Sequence, residues 1–309
     1  MISQEEINCP ICGSSKHSVF LKSKDFRFGI SNDTFQVVKC HGCGFLFLNP
    51  RPIKSSIGSF YPADFNQRDR SFLYKIIEPY FKITQKSTIN LLQKYKNSGK
   101  VLDIGCGNGD FVFAMLKTGY DAWGVEPNPG SERLASKQLK GRILYKDLQE
   151  CNFAIRTFDI ITLFQSLEHI HDLNELFREI GRIAKDDAIL YICVPNTDFF
   201  EFRIFGPYAY NLEVPRHLYF FTPETLSKLL EKNRCNAIRF IRNSLFESVC
   251  TPASFYHSIV NFFNHRGIIV NNLFKVLIFI PAVFLRFIIR ILFFFDDQNL
   301  KVMCARKCI

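Results

Sequence analysis

The stretch that most constrains this chain is Val101-Leu102-Asp103-Ile104-Gly105-Cys106-Gly107-Asn108-Gly109-Asp110. Apolar residues lead into three glycines at alternate positions, and the apolar run 111–116 follows. That order reads as a buried strand, a tight loop and a helix, the arrangement that lets backbone approach a ligand closely. A dinucleotide fingerprint, G-x-G-x-x-G, would need its third glycine where this chain has Asp110. The pattern here is instead D-x-G-x-G-x-G.

This pattern resembles motif I of the class I S-adenosylmethionine-dependent methyltransferases. The resemblance implies a doubly wound, mostly parallel, seven-stranded α/β sheet of Rossmann-like type, with the cofactor's methionine part over Gly105, Gly107 and Gly109. Asp103 then matches the acid that meets the cofactor's amino group. A second strand candidate, 120–125, ends in Glu126, and an acid at that place accepts hydrogen bonds from ribose hydroxyls in nucleotide-binding α/β folds. Asp147, after the short run 143–145, matches the acid that the family sets against the adenine amino group. The run 158–164 is a further strand. Gln165 and Ser166 follow at its carboxyl end, where such sheets bind ligands. Leu167-Glu168-His169-Ile170 also recurs in the family, and His169 reads equally as a helix-start residue or a catalytic one. A helical pattern over 173–183 and a strand over 188–194 complete the alternation that argues for a parallel sheet with helices on both faces.

Near the N-terminus, Cys9-x-x-Cys12 and Cys40-x-x-Cys43 form two knuckles, each followed by a glycine, Gly13 or Gly44, that can take positive φ. Four thiolates at this spacing complete a closed tetrahedral zinc site, structural because no coordination position stays open. The 27 residues between the pairs exceed the usual ribbon gap and contain strand-like segments such as 34–38, so a ribbon hairpin with an inserted excursion is expected. With 44–52 (Gly-Phe-Leu-Phe-Leu-Asn-Pro-Arg-Pro) and Phe60-Tyr61-Pro62, the region resembles zinc-ribbon methyltransferases associated with sugar and surface-polysaccharide modification. A helix is expected over about 72–95.

Beyond the fifth strand, Pro215-Arg216-His217-Leu218-Tyr219-Phe220-Phe221-Thr222-Pro223 closes on a helix N-cap at Thr222, with proline at the first helical position. It resembles the His-Leu-x-Tyr-Phe loop of zinc-containing sugar C-methyltransferases, whose histidine serves as general base. His217 takes that place, and a histidine bonded to backbone is the plain structural alternative. The family's acid before the histidine is here Arg216. That departure speaks against carbon methylation and leaves room for a base that deprotonates a hydroxyl.

Residues 238–241 and 300–306 read as the sixth and seventh strands, an antiparallel pair interrupted by about fifty very apolar residues. In this insert Lys275, Arg286, Arg290 and Asp297 fall on one narrow helical stripe, with Pro281 as a kink. Such a stripe fits a helix lying in a membrane interface over 268–295. A dimer interface, a lid and a true span are the alternatives. The expected organisation is a zinc ribbon (1–50), a linker with packing helix (51–98), a cofactor-binding domain (99–247), the insert (248–298) and a final strand (299–309).

Charge narrows the partners. Of the net +10, residues 1–98 carry +7 (14 basic, 7 acidic), 99–247 carry −2 (18 basic, 20 acidic) and 248–309 carry +5 (7 basic, 2 acidic). A near-neutral core argues against a groove that tracks nucleic acid. Eleven cysteines, several of them in core-like runs, and an N-terminus without an apolar leader pattern fit a reducing cytoplasm, with the protein peripheral at the inner membrane face. The resemblances together imply methyl transfer from S-adenosylmethionine to a small or lipid-linked acceptor, a sugar or glycan. An RNA base methyltransferase with a zinc module and a non-catalytic zinc-ribbon adaptor stay open as alternatives.

Overall fold

The computed structural model describes residues 3–62, 72–198, 200–241, 258–263, 266, 281 and 299–306. The interfacial helix expected over 268–295, with Lys275, Arg286, Arg290 and Asp297, lies outside them except for Pro281. Among the described residues no helix is long and apolar enough to cross a membrane. The chain divides into two compact units. One comprises Ala63–Val194, Leu229–Ile241 and Lys301–Ile309, the other Met1–Pro62, Pro195–Lys228 and Arg242–Leu300. Residues 195–228, placed by sequence in the 99–247 domain, thus group with the N-terminal 62.

The first unit is built on seven strands: β1 (Lys100–Ile104), β2 (Asp121–Val125), β3 (Ile143–Leu144), β4 (Phe158–Phe164), β5 (Ala184–Pro195), β6 (Cys235–Ile241) and β7 (Asn299–Arg306). Their order is β6-β7-β5-β4-β1-β2-β3. The pairs β1–β2, β2–β3, β1–β4 and β4–β5 are parallel, and β6–β7 is antiparallel. This is the expected doubly wound sheet. Continuous apolar runs make its inner strands because both faces of a parallel sheet are covered. In β1 only Lys100 is exposed. Helices α1 (Phe72–Gln93), α2 (Asp110–Lys117) and α3 (Leu173–Ile183) supply cover. Val112 and Met115 of α2 pack with Val101, Ala122, Ile160 and Tyr191 in one core.

One connection departs from strict strand–helix alternation. Between β2 and β3 the chain makes only short 3-10 turns, Pro129–Arg133 and Lys137–Leu139. Pro127, Pro129, Gly130 and Gly141 within it disfavour a longer helix. The strand order reverses between β1 and β4, so the chain leaves their carboxyl ends in opposite directions and opens a crevice there. The glycine loop follows β1 at that place.

In the second unit the ribbon is part of a four-stranded antiparallel sheet, ordered Tyr219–Phe220, Leu46–Leu48, Phe35–Cys40, His17–Ser23. The excursion between the cysteine pairs is the hairpin formed by its last two strands. Phe35, Phe45, Phe47, Phe60, Phe220 and Phe221 are fully or almost fully buried, which accounts for part of the phenylalanine excess. The Asn49–Arg51 motif pins this sheet. Asn49 Oδ1 accepts from Ile7 N at 3.0 Å, Arg51 Nε donates to Glu5 Oε1 at 2.8 Å, and an Arg51 Nη donates to Tyr219 Oη at 2.8 Å.

Arg216, conspicuous in the sequence only as a departure, is the largest fully buried side chain among the described residues. Its guanidinium donates to both Asp25 oxygens at 2.6 and 3.1 Å, to Glu213 Oε1 at 3.1 Å and to the Phe60 carbonyl at 2.9 Å. A buried network this well satisfied is costly to break from one side, because the guanidinium loses one of its two carboxylates and two hydrogen bonds where water does not replace them. Asp25→Ala is therefore expected to destabilise this unit by about 3–5 kcal/mol. Urea unfolding followed by tyrosine and near-UV signals measures it, and a change within error of zero would show that Arg216 is not held as described.

Candidate active site

The glycine loop is held by β2. Both Gly105 N and Cys106 N donate to Val125 O, at 2.8 and 3.1 Å, and Gly109 N donates to Cys106 O at 2.9 Å. Gly105 and Gly109 have φ of 74° and 78°. A methyl group at Gly105 would lie 2.5 Å from Ser166 Cβ, and one at Gly109 would lie 2.5 Å from Ile143 Cδ1. Glycine is therefore required there by both backbone and neighbours. At Gly107 an added Cβ would meet nothing within 4 Å, so that stretch of backbone faces open space.

Two buried carboxylates border the loop. Glu126 Oε2 accepts from Gly107 N and its Oε1 from Asn128 N, both at 2.9 Å. This double anchor fixes the acid at the end of β2 and ties it to the glycine turn. Asp103, 3% exposed, accepts a hydrogen bond from Thr162 Oγ1 at 2.7 Å. Thr162 is its register partner on β4. Among the described residues no cation pairs with either acid. Burial, only partly offset by the Thr162 hydrogen bond, and then the negative charge of Glu126 push Asp103 up to about 7. Burial also raises Glu126, against the two amides that hold its charge. A buried acid pair without a counter-ion is a site prepared for a cation and for hydroxyl donors.

The other residues marked in the sequence lie around this crevice or apart from it. Ser166 donates to Ile104 O at 2.8 Å and so buttresses the loop. Gln165, exposed at the carboxyl end of β4, has φ of 49° and sets its amide 3.4 Å from Cys193 Sγ. Asp147 caps the 3-10 turn Leu148–Cys151, its own N–H donating to Glu150 at 3.3 Å. His169 is the last residue of the 3-10 turn Leu167–His169, half-buried. Thr162 was not singled out in the sequence. Its signal is a lone hydroxyl inside the apolar stretch Ile160-Ile161-Thr162-Leu163-Phe164.

His217 belongs to the other unit and is 6% exposed. Its Nδ1 lies 2.9 Å from the Asn211 carbonyl, which can only accept, so Nδ1 carries the proton. Nε2 lies 3.7 Å from Glu213 Oε2. The four cysteines of that unit stand with all sulfurs within 4.8 Å of one another, Cys9–Cys43 and Cys12–Cys40 at 3.5 Å. Zn–S bonds of about 2.3 Å in a tetrahedron put sulfurs roughly 3.8 Å apart, so the cluster fits a single zinc ion. Gly42 N points at Cys40 Sγ at 3.3 Å, and a Cβ at Gly42 would press within 3.2 Å of Cys12 Sγ. Burial works against the Cys40 thiolate, but amides of Cys43 and Gly42 and the Cys12 thiol outweigh it and hold this thiol at about 7.

A glycine loop at the switch point of a doubly wound sheet, bordered by two buried acids, defines a nucleotide-binding α/β protein. The family described as "Methyltransferase domain" matches residues 77–238. The chain belongs to that family. Among curated relatives it is 26% identical to the demethylmenaquinone methyltransferase of Lactobacillus johnsonii over 160 residues, covering 46% of this chain and 66% of that protein. It is also 26% identical to the ubiquinone biosynthesis O-methyltransferase of Azorhizobium caulinodans over 110 residues, 34% of this chain and 44% of that protein. The matches thus span less than two thirds of these relatives' own length. A solved structure from Galdieria sulphuraria, named "putative sarcosine dimethylglycine methyltransferase", superposes with a TM-score of 0.52 at 12% identity, over 80% of this chain and 91% of that one. It shares the fold.

Asp103 makes ligand-free stability depend on pH. Its native value of about 7 lies above the ordinary value near 3.9, so across that window the native state holds a proton the unfolded chain has lost. Stability therefore falls as pH rises from about 4 to about 7. Melting curves at about pH 5 and pH 8 should show this loss in the native sequence and a smaller one in Asp103→Asn. Equal slopes would mean that Asp103 is not held protonated in the free protein.

Proposed function

We propose that this chain transfers a methyl group from S-adenosylmethionine to a small or lipid-linked acceptor, a sugar or glycan. The observation that carries the reading is the pair of buried acids, Asp103 and Glu126, at the glycine loop with no cation against them among the described residues. When bound, the cofactor supplies an electrophilic methyl on a sulfonium. Asp103 receives its ammonium group, Glu126 its ribose hydroxyls, and Gly105, Gly107 and Gly109 let the backbone lie against it. Asp147 and Gln165 would border its base. Relatives are named for demethylmenaquinone methylation and for ubiquinone biosynthesis, which supports a small or lipid-borne acceptor over a nucleic acid. Membrane contact through 268–295 rests on the sequence pattern and belongs to the same reading.

His217 is proposed as the base that takes the acceptor's proton, with His169 as the next candidate. Donation of Nδ1–H to the Asn211 carbonyl leaves Nε2 as the lone-pair nitrogen of the neutral ring. The four-cysteine cluster is proposed to hold one structural zinc, with Cys9, Cys12, Cys40 and Cys43 as its ligands.

Incubating the protein with methyl-labelled S-adenosylmethionine and extracted bacterial lipids and glycans should label an acceptor. His217→Asn should cut that turnover about 10²–10⁴-fold while cofactor binding persists. Labelling that is equally fast in the variant assigns the proton to another group, and no labelling in any extract contradicts the acceptor class.

Metal analysis of protein purified without chelator should find one zinc per chain, lost in Cys40→Ser together with stability of the N-terminal unit. A metal-free protein of undiminished stability would refute the zinc site.

A further inference from the structure

We infer that Thr162 is a positioning residue for the cofactor. Through its hydroxyl it fixes Asp103 Oδ1 and presents Oδ2 to the ligand's ammonium group. This rests on the S-adenosylmethionine reading of the site and gives it a further residue.

Register and burial carry the argument. Asp103 and Thr162 are paired directly across β1 and β4, so their side chains leave the same face of the sheet side by side. Thr162 is completely buried, in the middle of the sheet, where a hydroxyl without a partner is costly. Its single proton has two acceptors in reach: Asp103 Oδ1 at 2.7 Å and the Leu102 carbonyl at 3.5 Å. The shorter distance and the charge both select the carboxylate. Oδ1 is thereby occupied, which leaves Oδ2 for a ligand. A valine would fill the same space and suit the run Ile160–Phe164 better, so the fold alone does not ask for a hydroxyl here.

The groups around Asp103 make that one hydrogen bond count. Glu126, at the end of β2, opposes its charge. The Cys106 thiol, half-buried in the loop beside both acids, is pushed up by desolvation and by their charges and stays neutral. Among the described residues no Lys, Arg or His faces the carboxylate. Thr162 is thus the side chain that stabilises the ionised form before a ligand arrives. Its removal should move Asp103 further up and oblige the ammonium group to bind a protonated acid at neutral pH.

The test is calorimetry with S-adenosylhomocysteine, which carries the same amino acid part, on the native sequence, Thr162→Val and Thr162→Ser from about pH 6 to pH 9. Thr162→Val should weaken binding roughly 10–100-fold near pH 7, with the ratio to the native sequence narrowing as pH rises. Taking the ratio cancels the ligand's own titration. Thr162→Ser, which keeps the hydroxyl, should restore most of the affinity. In an Asp103→Asn background, Thr162→Val should lose its pH dependence. A Thr162→Val loss that is the same at every pH, or unrestored by serine, would overturn this inference while leaving the cofactor reading intact. A native protein that binds no S-adenosylhomocysteine overturns both.

Discussion

The burial of two carboxylates at one glycine turn, with no cation against them among the described residues, is the constraint on which the site depends. Ionised carboxylates leave water only when something stabilises their charge. Here Glu126 is stabilised by two backbone amides and Asp103 by one hydroxyl. The arrangement is incomplete for Asp103, whose proton affinity rises to near neutrality. Rising pH and an incoming ammonium group then act in the same direction, because either one favours the ionised acid.

The sheet holds those two acids and the loop between them in register. Asp103 ends β1 one residue short of the turn, and Glu126 follows β2 directly. The pairing of β1 with β2 brings Val125 O onto the amides of Gly105 and Cys106, which closes the loop. Ser166, just past β4, fastens the same turn from the other neighbour. Each contact comes from a strand adjacent to β1, so strand order alone assembles the site. The N-terminal unit is organised differently, around a sulfur cluster and a buried Arg216–Asp25–Glu213 network.

Much of this was legible in the sequence because it is periodic or local. The glycine spacing, the acid at the end of β2, the antiparallel final pair and the helix 173–183 all follow from patterns within a few residues. The cysteine knuckles were legible for the same reason, spacing being their whole signal. The contacts that were not legible join residues far apart in the chain. Asp25 and Arg216 are separated by 191 positions, Asp103 and Thr162 by 59. Nothing near Arg216 announces that it is a buried cation. The grouping of 195–228 with the first 62 residues escaped for a related reason, since strand 219–220 pairs with 46–47 across the whole cofactor-binding segment. Thr162 had a weak local sign, one hydroxyl in an apolar strand, whose meaning depended on what β1 placed beside it.

The central claim is that the loop and its two acids select a nucleoside that carries an ammonium group. Titrating the protein side by side with S-adenosylhomocysteine and NAD at neutral pH tests it most directly. The account predicts saturable one-to-one binding of S-adenosylhomocysteine and no measurable heat from NAD. Tighter binding of NAD, or equal binding of both, would contradict it.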